Sequence, residues 1–218
     1  MRQIPLRIGP GPAPTFENYA PGANAAALAA LRARPLPSSL YLWGPAGAGK
    51  THLLRALAAA AEGRVLTGPV AWEEGAGLVL LDGCEGYDAA RQHAAFALYV
   101  EAATAGVPVV AAGRLPPVDL PLREDLRTRL GSGPVFALQP LSDADTAAVL
   151  RREAARRGIA LADEVLAYLL TRYARDLGSL MGLLDALDAF SLAEKRAVTV
   201  PLLKKMLAEQ AAHDLPIA

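Results

Sequence analysis

The sequence contains a single cysteine, Cys84, among 218 residues. One cysteine cannot form a disulfide within the chain, so a disulfide framework is excluded and a reducing compartment is favoured. No stretch approaches the roughly 18 consecutive apolar residues of a membrane-spanning helix. The N-terminus also lacks the charged and then apolar layout of a signal peptide. We therefore expect a cytoplasmic protein with no membrane partner.

The sequence also lacks net charge, because 22 Lys and Arg balance 22 Asp and Glu. A protein that binds nucleic acid mainly through phosphate contacts is normally basic, so an obligate binder of that kind is disfavoured. Aromatic residues are few, at 6%, whereas the hydrophobic share is 53% and rich in Ala and Leu. This composition predicts helix-rich packing. A chain of this length buries roughly 70% of its unfolded surface and requires no disulfide or metal for stability.

The pattern along the chain predicts three parts, residues 1–15, 16–140 and 141–218. The first is a short apolar and basic peptide followed by the tether Gly9-Pro-Gly-Pro-Ala-Pro14, which extends about 3 Å per residue. The second alternates apolar strands at 40–43, 78–81, 107–112 and 135–138 with helices at 25–34, 50–61, 88–105 and 122–130. This alternation predicts an α/β domain with a parallel sheet. The segment before residue 82 is short, so we expect one strand–helix element to be trimmed.

The third part is predicted to be an all-helical subdomain. Ser142 with Asp145 three residues later is close to a capping box and predicts a helix over 142–157. Further helical patterns cover residues 162–174, 177–193 and 201–212. Thr199 is a plausible cap for the last helix, with Pro201 in its first turn.

A phosphate-binding motif lies between the first strand and its helix. It matches G-x-x-x-x-G-K-[ST] in full and comprises Gly44, Pro45, Ala46, Gly47, Ala48, Gly49, Lys50 and Thr51. In such a P-loop the glycines allow backbone N–H groups to point at phosphates, and the helix N-terminus adds positive potential. Lys50 would reach the β- and γ-phosphates and Thr51 would coordinate Mg²⁺. The alternative is that the motif is a chance Gly-rich turn. His52, which directly follows the motif, is also predicted to bind the cofactor.

A metal-binding carboxylate is predicted at the end of the second apolar strand, where ligands bind in open α/β sheets. Asp82 is that residue, although an Asp-Gly pair is also common in simple turns. Hydrolytic P-loop proteins place a carboxylate directly after the metal Asp, whereas this chain has Gly83 there. Glu85 is expected to point elsewhere unless the turn rearranges. We therefore expect nucleotide binding, with ADP or ATP and Mg²⁺, and weak intrinsic hydrolysis.

The segment ahead of the P-loop resembles that of AAA+ ATPases of the DnaA initiator clade. The residues that carry the resemblance are Phe16-Glu-Asn-Tyr19, Gly22 and Asn24. The resemblance implies an AAA+ P-loop sheet domain followed by a helical lid. It also implies that Gly113 stands at the sensor 1 position, where a polar residue is expected, and this further lowers the expected self-hydrolysis. The adjacent Arg114 is read as a solvated arginine, with a surface contact as the alternative.

Two arginines acquire roles from the same resemblance. Residues 122–130 resemble the clade's box VII, which aligns Arg129 with the arginine finger that acts on a neighbour's nucleotide. Without the resemblance, Arg129 would be taken as an exposed helix arginine. Arg175 matches the sensor 2 position, from which an arginine reaches from the lid to the nucleotide.

The N-terminal peptide narrows the resemblance to the Hda family of DnaA regulators. Gln3, Ile4, Leu6 and Ile8 are similar to a peptide that docks on the bacterial β sliding clamp, although an apolar edge strand would have a similar pattern. We expect this protein to lack the DNA-binding domain with which the initiator ends. The resemblance implies a negative regulator of replication initiation that stimulates hydrolysis of DnaA-bound ATP. Its partners would be DnaA and the clamp, with DNA contacted only through the clamp and homo-oligomerisation left open.

Two other hypotheses remain open at the level of sequence. An autonomous replication ATPase, such as a helicase loader or truncated initiator, is disfavoured by the zero net charge and by Gly83. A small-molecule kinase is disfavoured by the helical lid and by Arg129.

Overall fold

The computed structural model describes residues 13–172 and 177–213. These residues form two compact units, Ala13–Leu141 and a second that begins at Ser142. The helices of the first unit are α1 (Ala25–Arg32), α2 (Lys50–Ala60), α3 (Ala89–Thr104) and α4 (Glu124–Leu130). Its strands are β1 (Ser39–Trp43), β2 (Arg64–Thr67), β3 (Ala76–Leu81), β4 (Val109–Gly113) and β5 (Val135–Ala137). In the described ranges, no helix is both long and apolar enough to cross a bilayer.

The five strands form one parallel sheet in the order β2-β3-β4-β1-β5. The predicted α/β fold class is therefore confirmed. Strand β2 was not predicted from the sequence, because only four residues at the edge of the sheet form it and they are partly exposed. Residues 68–75, which connect β2 to β3, contain no helix. Of the strand–helix element that was expected to be missing, only the helix is therefore missing, because the strand is present as β2.

Helices cover both faces of the sheet. Leu40 and Leu42 of β1 pack in a core with residues of α1 and α2, whereas Tyr41 packs in a second core with residues of α3 and α4. Neighbouring residues of a strand point to opposite faces, so both sets of side chains are buried. Burial on two sides explains why β1, β3 and β4 have continuous apolar sequences.

The second unit is helical throughout its described residues. It contains α5 (Asp143–Arg156), α6 (Asp163–Arg172), α7 (Leu177–Glu194) and α8 (Val200–His213). Leu150, Leu169, Leu184 and Leu203 are fully buried in a separate core. Ser142 caps α5: its Oγ accepts a hydrogen bond from the Asp145 N–H at 3.0 Å and donates one to Oδ2 of Asp145 at 2.6 Å. The predicted cap is confirmed.

Candidate functional site

The P-loop connects β1 to α2 and has an unusual backbone. Gly44, Gly47 and Gly49 have φ angles of 152°, 79° and 88°. Residues with a Cβ atom rarely adopt such angles, whereas glycine adopts them readily. A Cβ atom at Gly44 would collide with the carbonyl oxygen of Leu138. A Cβ atom at Gly49 would lie 2.8 Å from the ring of Tyr19. The motif therefore forms a tight loop at the start of a helix, which is the geometry that receives phosphate groups.

Lys50 is the first residue of α2, and its ammonium group folds back over this loop. Its Nζ donates hydrogen bonds to the carbonyl oxygens of Gly44 at 2.6 Å and Pro45 at 2.8 Å. Burial lowers the pKa of Lys50, while the negative charges of Glu85 and Asp82 oppose that shift. Its nearest partners are thus neutral carbonyls, which a phosphate anion could replace with a stronger, charge-assisted bond.

Thr51 and Asp82 lie together beside the loop. The hydroxyl of Thr51 donates a hydrogen bond to Oδ2 of Asp82 at 2.6 Å, and Oδ1 of Asp82 accepts from the N–H of Gly83 at 2.9 Å. A hydroxyl and a carboxylate in contact are the two protein ligands expected of a Mg²⁺ site completed by phosphate and water. The described residues contain no group of three or more His, Cys, Asp or Glu that could hold a metal alone. The donors therefore fit Mg²⁺ bound together with a nucleotide.

The segment before α1 packs against the same loop. His52 lies 3.0 Å from the Thr15 carbonyl through Nε2, and its ring is 5.4 Å from that of Tyr19. Asn24 is buried and fastens this segment to the residue after Leu138, because it exchanges two hydrogen bonds of 2.8 Å with the backbone of Gln139. Asn24 thus has a structural role beside the P-loop, in addition to carrying the family resemblance.

The position of Glu85 differs from the expectation. A 3₁₀ turn at Cys84–Gly86 follows Gly83 and returns the Glu85 side chain to the end of β4. Its Oε2 accepts a hydrogen bond from the N–H of Arg114 at 3.1 Å, and its Oε1 lies 3.3 Å from Nε of Arg114. The sequence predicts that Glu85 points away from the site unless the turn rearranges. The 3₁₀ turn is such a rearrangement, and it brings the Glu85 side chain back to the end of β4. Arg114 is exposed as expected, but it forms an ion pair.

Arg129 lies near the end of α4, in a shallow groove that also contains Phe96, Arg123 and Asp125. The groove has a volume of about 890 Å³. The Arg129 guanidinium stacks over the rings of Phe96 and Tyr99, with its Cζ 5.4 Å and 5.6 Å from their centroids. The backbone is held as well, since the Arg129 carbonyl accepts hydrogen bonds from Tyr99 and Ser132 at 3.1 Å and 2.7 Å.

The remaining predicted site residues lie outside the described part of the chain. They are Gln3, Ile4, Leu6, Ile8 and Arg175.

The chain is similar to a known protein family over part of its length and to several solved structures. Residues 143–207 match the family model described as Hda, lid domain. Domain III of the replication initiation protein DnaA from Thermotoga maritima has a TM-score of 0.76 at 20% identity, covering 91% of this chain and 98% of that chain. AMPPCP-bound DnaA from Aquifex aeolicus has a TM-score of 0.64 at 20% identity, covering 83% of this chain and 67% of that chain. The Thermotoga maritima RuvB branch migration motor has a TM-score of 0.59 at 17% identity, covering 78% and 61%. At these identities the structures share a fold with this chain.

Proposed function

We propose that this chain is an Hda-like, DnaA-related AAA+ protein that regulates bacterial replication initiation. In this proposal the P-loop binds ADP or ATP with Mg²⁺, and the N-terminal peptide binds the sliding clamp. Arg129 then enters the nucleotide site of DnaA and stimulates hydrolysis of its ATP, which inactivates the initiator.

The observation that carries the proposal is the presentation of Arg129. Stacking on Phe96 and Tyr99 orients the guanidinium without using its N–H donors. Within the described residues, no ion pair joins Arg129 to a carboxylate. The donors thus remain available for phosphate oxygens, whose negative charge an arginine finger stabilises as the terminal phosphoryl group is transferred.

The residues of the nucleotide site support the proposal that the bound nucleotide is a structural ligand. Lys50, Thr51 and Asp82 supply the groups that bind phosphate and Mg²⁺. No carboxylate stands at position 83, where hydrolytic relatives of this motif have one. Bound nucleotide would therefore persist, and the nearby Tyr19 and His52 would be ordered around it.

The main test measures hydrolysis of ATP on the cognate DnaA, with the clamp loaded on DNA. Wild-type protein is expected to accelerate it, and Arg129→Ala to lose about a thousandfold of that acceleration. Arg127→Ala is the matched control, since it removes an arginine from the same helix with no side-chain ion pair in the described residues. Absence of acceleration by the wild type, or equal loss in both variants, would refute the proposal.

Clamp binding requires a separate test, because it depends on residues 1–8. Pull-down on the sliding clamp compares the wild type with Gln3→Ala, which removes the side-chain amide. We expect retention of the wild type and loss of the variant. Equal retention of both would remove the peptide from the proposal.

One observation favours the autonomous ATPase as a second candidate. Glu85 lies at the end of β4, where its Oε2 accepts a hydrogen bond from the N–H of Arg114 at 3.1 Å. The carbonyl of the preceding Gly113 accepts one from the N–H of Gly44 in the P-loop at 3.3 Å. A carboxylate there could orient water. Appreciable turnover of the purified protein with single-stranded DNA and no partner would support this candidate over the regulator.

A further inference from the structure

Three hydroxyl groups converge on the backbone of Arg129, at the end of α4. The Arg129 carbonyl accepts hydrogen bonds from the hydroxyls of Ser132 at 2.7 Å, Tyr99 at 3.1 Å and Ser39 at 3.3 Å. These donors belong to the loop after α4, to α3 and to β1. A carbonyl oxygen has two lone pairs, so three hydroxyl donors are more than its pairing requires. This part of the chain is therefore held from several elements at once.

Tyr99 contacts Arg129 at both ends. Its hydroxyl donates to the Arg129 carbonyl, and its ring stacks against the guanidinium, whose Cζ lies 5.6 Å from the ring centroid. The Tyr99 side chain is itself fixed, because the residue is buried in the core that contains residues of α3 and α4. Phe96 can also stack on the guanidinium, but it has no hydroxyl with which to hold the backbone. One buried side chain thus determines both where Arg129 starts and which way it points.

The end of α4 needs such an anchor if Arg129 is to be placed accurately. The helix has only seven residues, and helix ends fray readily. An arginine side chain also loses much rotamer freedom when it is fixed. Ordering it before the partner arrives removes that cost from the reaction step. Accuracy matters, because a misplacement of about 1 Å can cost about a hundredfold in rate.

We propose that Tyr99 is the positioning residue of Arg129. Its hydroxyl fixes the end of α4 while its ring orients the guanidinium, so that one conformation meets the nucleotide of the partner. Tyr99 acts through Arg129, and we expect it to change the rate of stimulated hydrolysis and not the affinity for the partner. The proposal rests on the proposed function, because it assumes that Arg129 is the arginine finger.

The first test measures order in the free protein and needs no partner. Nitrogen relaxation by NMR gives the order parameter of the Arg129 Nε–H group. Tyr99→Phe keeps the ring and its burial but removes the hydroxyl, and it should lower this order parameter. Tyr41→Phe is the matched control, because its hydroxyl also donates to a carbonyl at 3.1 Å, that of Leu115, and its ring lies in the same core. The control should leave Arg129 as ordered as in the wild type.

The second test measures hydrolysis of DnaA-bound ATP over a series of concentrations of this protein. Tyr99→Phe should lower the maximal rate about fivefold, the effect of one lost hydrogen bond, and leave the half-saturating concentration unchanged. Ser132→Ala removes a second hydroxyl from the same carbonyl at an exposed position, so it tests the inference even if Tyr99→Phe fails to fold. It should also lower the maximal rate. Tyr41→Phe should change neither quantity.

The two tests distinguish the inference from the function on which it rests. Wild-type protein that does not stimulate hydrolysis would overturn the proposed function, whatever the order parameter shows. Stimulation by the wild type with an unchanged order parameter or maximal rate in Tyr99→Phe would overturn the inference alone. An equal loss of rate in Tyr41→Phe would overturn it as well, because general stability would then set the rate. So would a raised half-saturating concentration at an unchanged maximal rate, which would place Tyr99 in docking.

Discussion

The nucleotide site and the arginine groove each hold a cation, but they hold it differently. The Lys50 ammonium is tucked against carbonyl oxygens of its own loop, and burial lowers its pKa. The Arg129 guanidinium lies on two aromatic faces in an open groove. The first arrangement suits a ligand that enters the loop. In the second arrangement the ring faces leave the N–H donors without a carboxylate partner among the described residues, which is what the proposed arginine finger requires.

The largest expected effect is on nucleotide affinity, which should depend on Lys50 and not on Arg129. Lys50→Met should weaken binding of Mg-ADP by about a hundredfold, because it removes the charged partner of the phosphates, a loss of about 3 kcal/mol. Arg129→Ala should leave that affinity unchanged. Isothermal titration calorimetry of both variants measures the difference. A loss of ADP affinity in Arg129→Ala would show that the groove contributes to the protein's own nucleotide site and would remove the distinction.

The next effect concerns the backbone that shapes the nucleotide site. Gly44→Ala should lower the free energy of unfolding by about 2–3 kcal/mol, because φ is 152° and the new methyl group meets the Leu138 carbonyl. Urea denaturation measures the change. Gly182→Ala is the control of opposite sign: Gly182 lies inside α7 with open space around it, so alanine should stabilise by about 0.5–1 kcal/mol. Equal effects would mean that loop strain is absent.

The nucleotide site was the more predictable of the two regions from sequence. Its motif is contiguous, and β1 and α2 on either side have strong apolar patterns, so the local sequence alone predicts that Lys50, Thr51 and Asp82 lie at one end of the sheet. The position of Glu85 was not predicted, because it depends on the left-handed conformation of Gly83. A sequence pattern indicates that a glycine can adopt that conformation but not that it does.

The groove was less predictable because its contacts are distant in sequence. The resemblance drew attention to Arg129, but its stacking on Phe96 requires that α3 and α4 lie side by side, which no local pattern specifies. Strand β2 was missed for a related reason. Its four residues carry only one buried side chain and become a strand only by pairing with β3.

A smaller effect tests whether the aromatic faces orient Arg129. Phe96→Leu keeps an apolar side chain but removes the ring, which should reduce the stimulation of DnaA-bound ATP hydrolysis by about fivefold, the equivalent of about 1 kcal/mol of cation–π interaction. Phe136→Leu makes the same change in the opposite core and is the control. Both variants should lose some stability. Equal stimulation by the two would mean that Phe96 only packs and does not position the arginine.

The smallest expected effect concerns Cys84, which is fully buried in the turn that carries Glu85. Burial raises the pKa of its thiol from 9.0 to about 12. Because the folded pKa lies above the unfolded value, the stabilisation is fully present below pH 9 and is lost as pH rises toward 12. Between pH 8 and pH 9.6 the free energy of unfolding should fall by about 1 kcal/mol more in the wild type than in Cys84→Ala. Urea denaturation at both pH values measures this difference, in which the titrations of other groups cancel. Parallel decreases in the two proteins would show that the thiol titrates freely, and hence that the turn opens to solvent in the folded state.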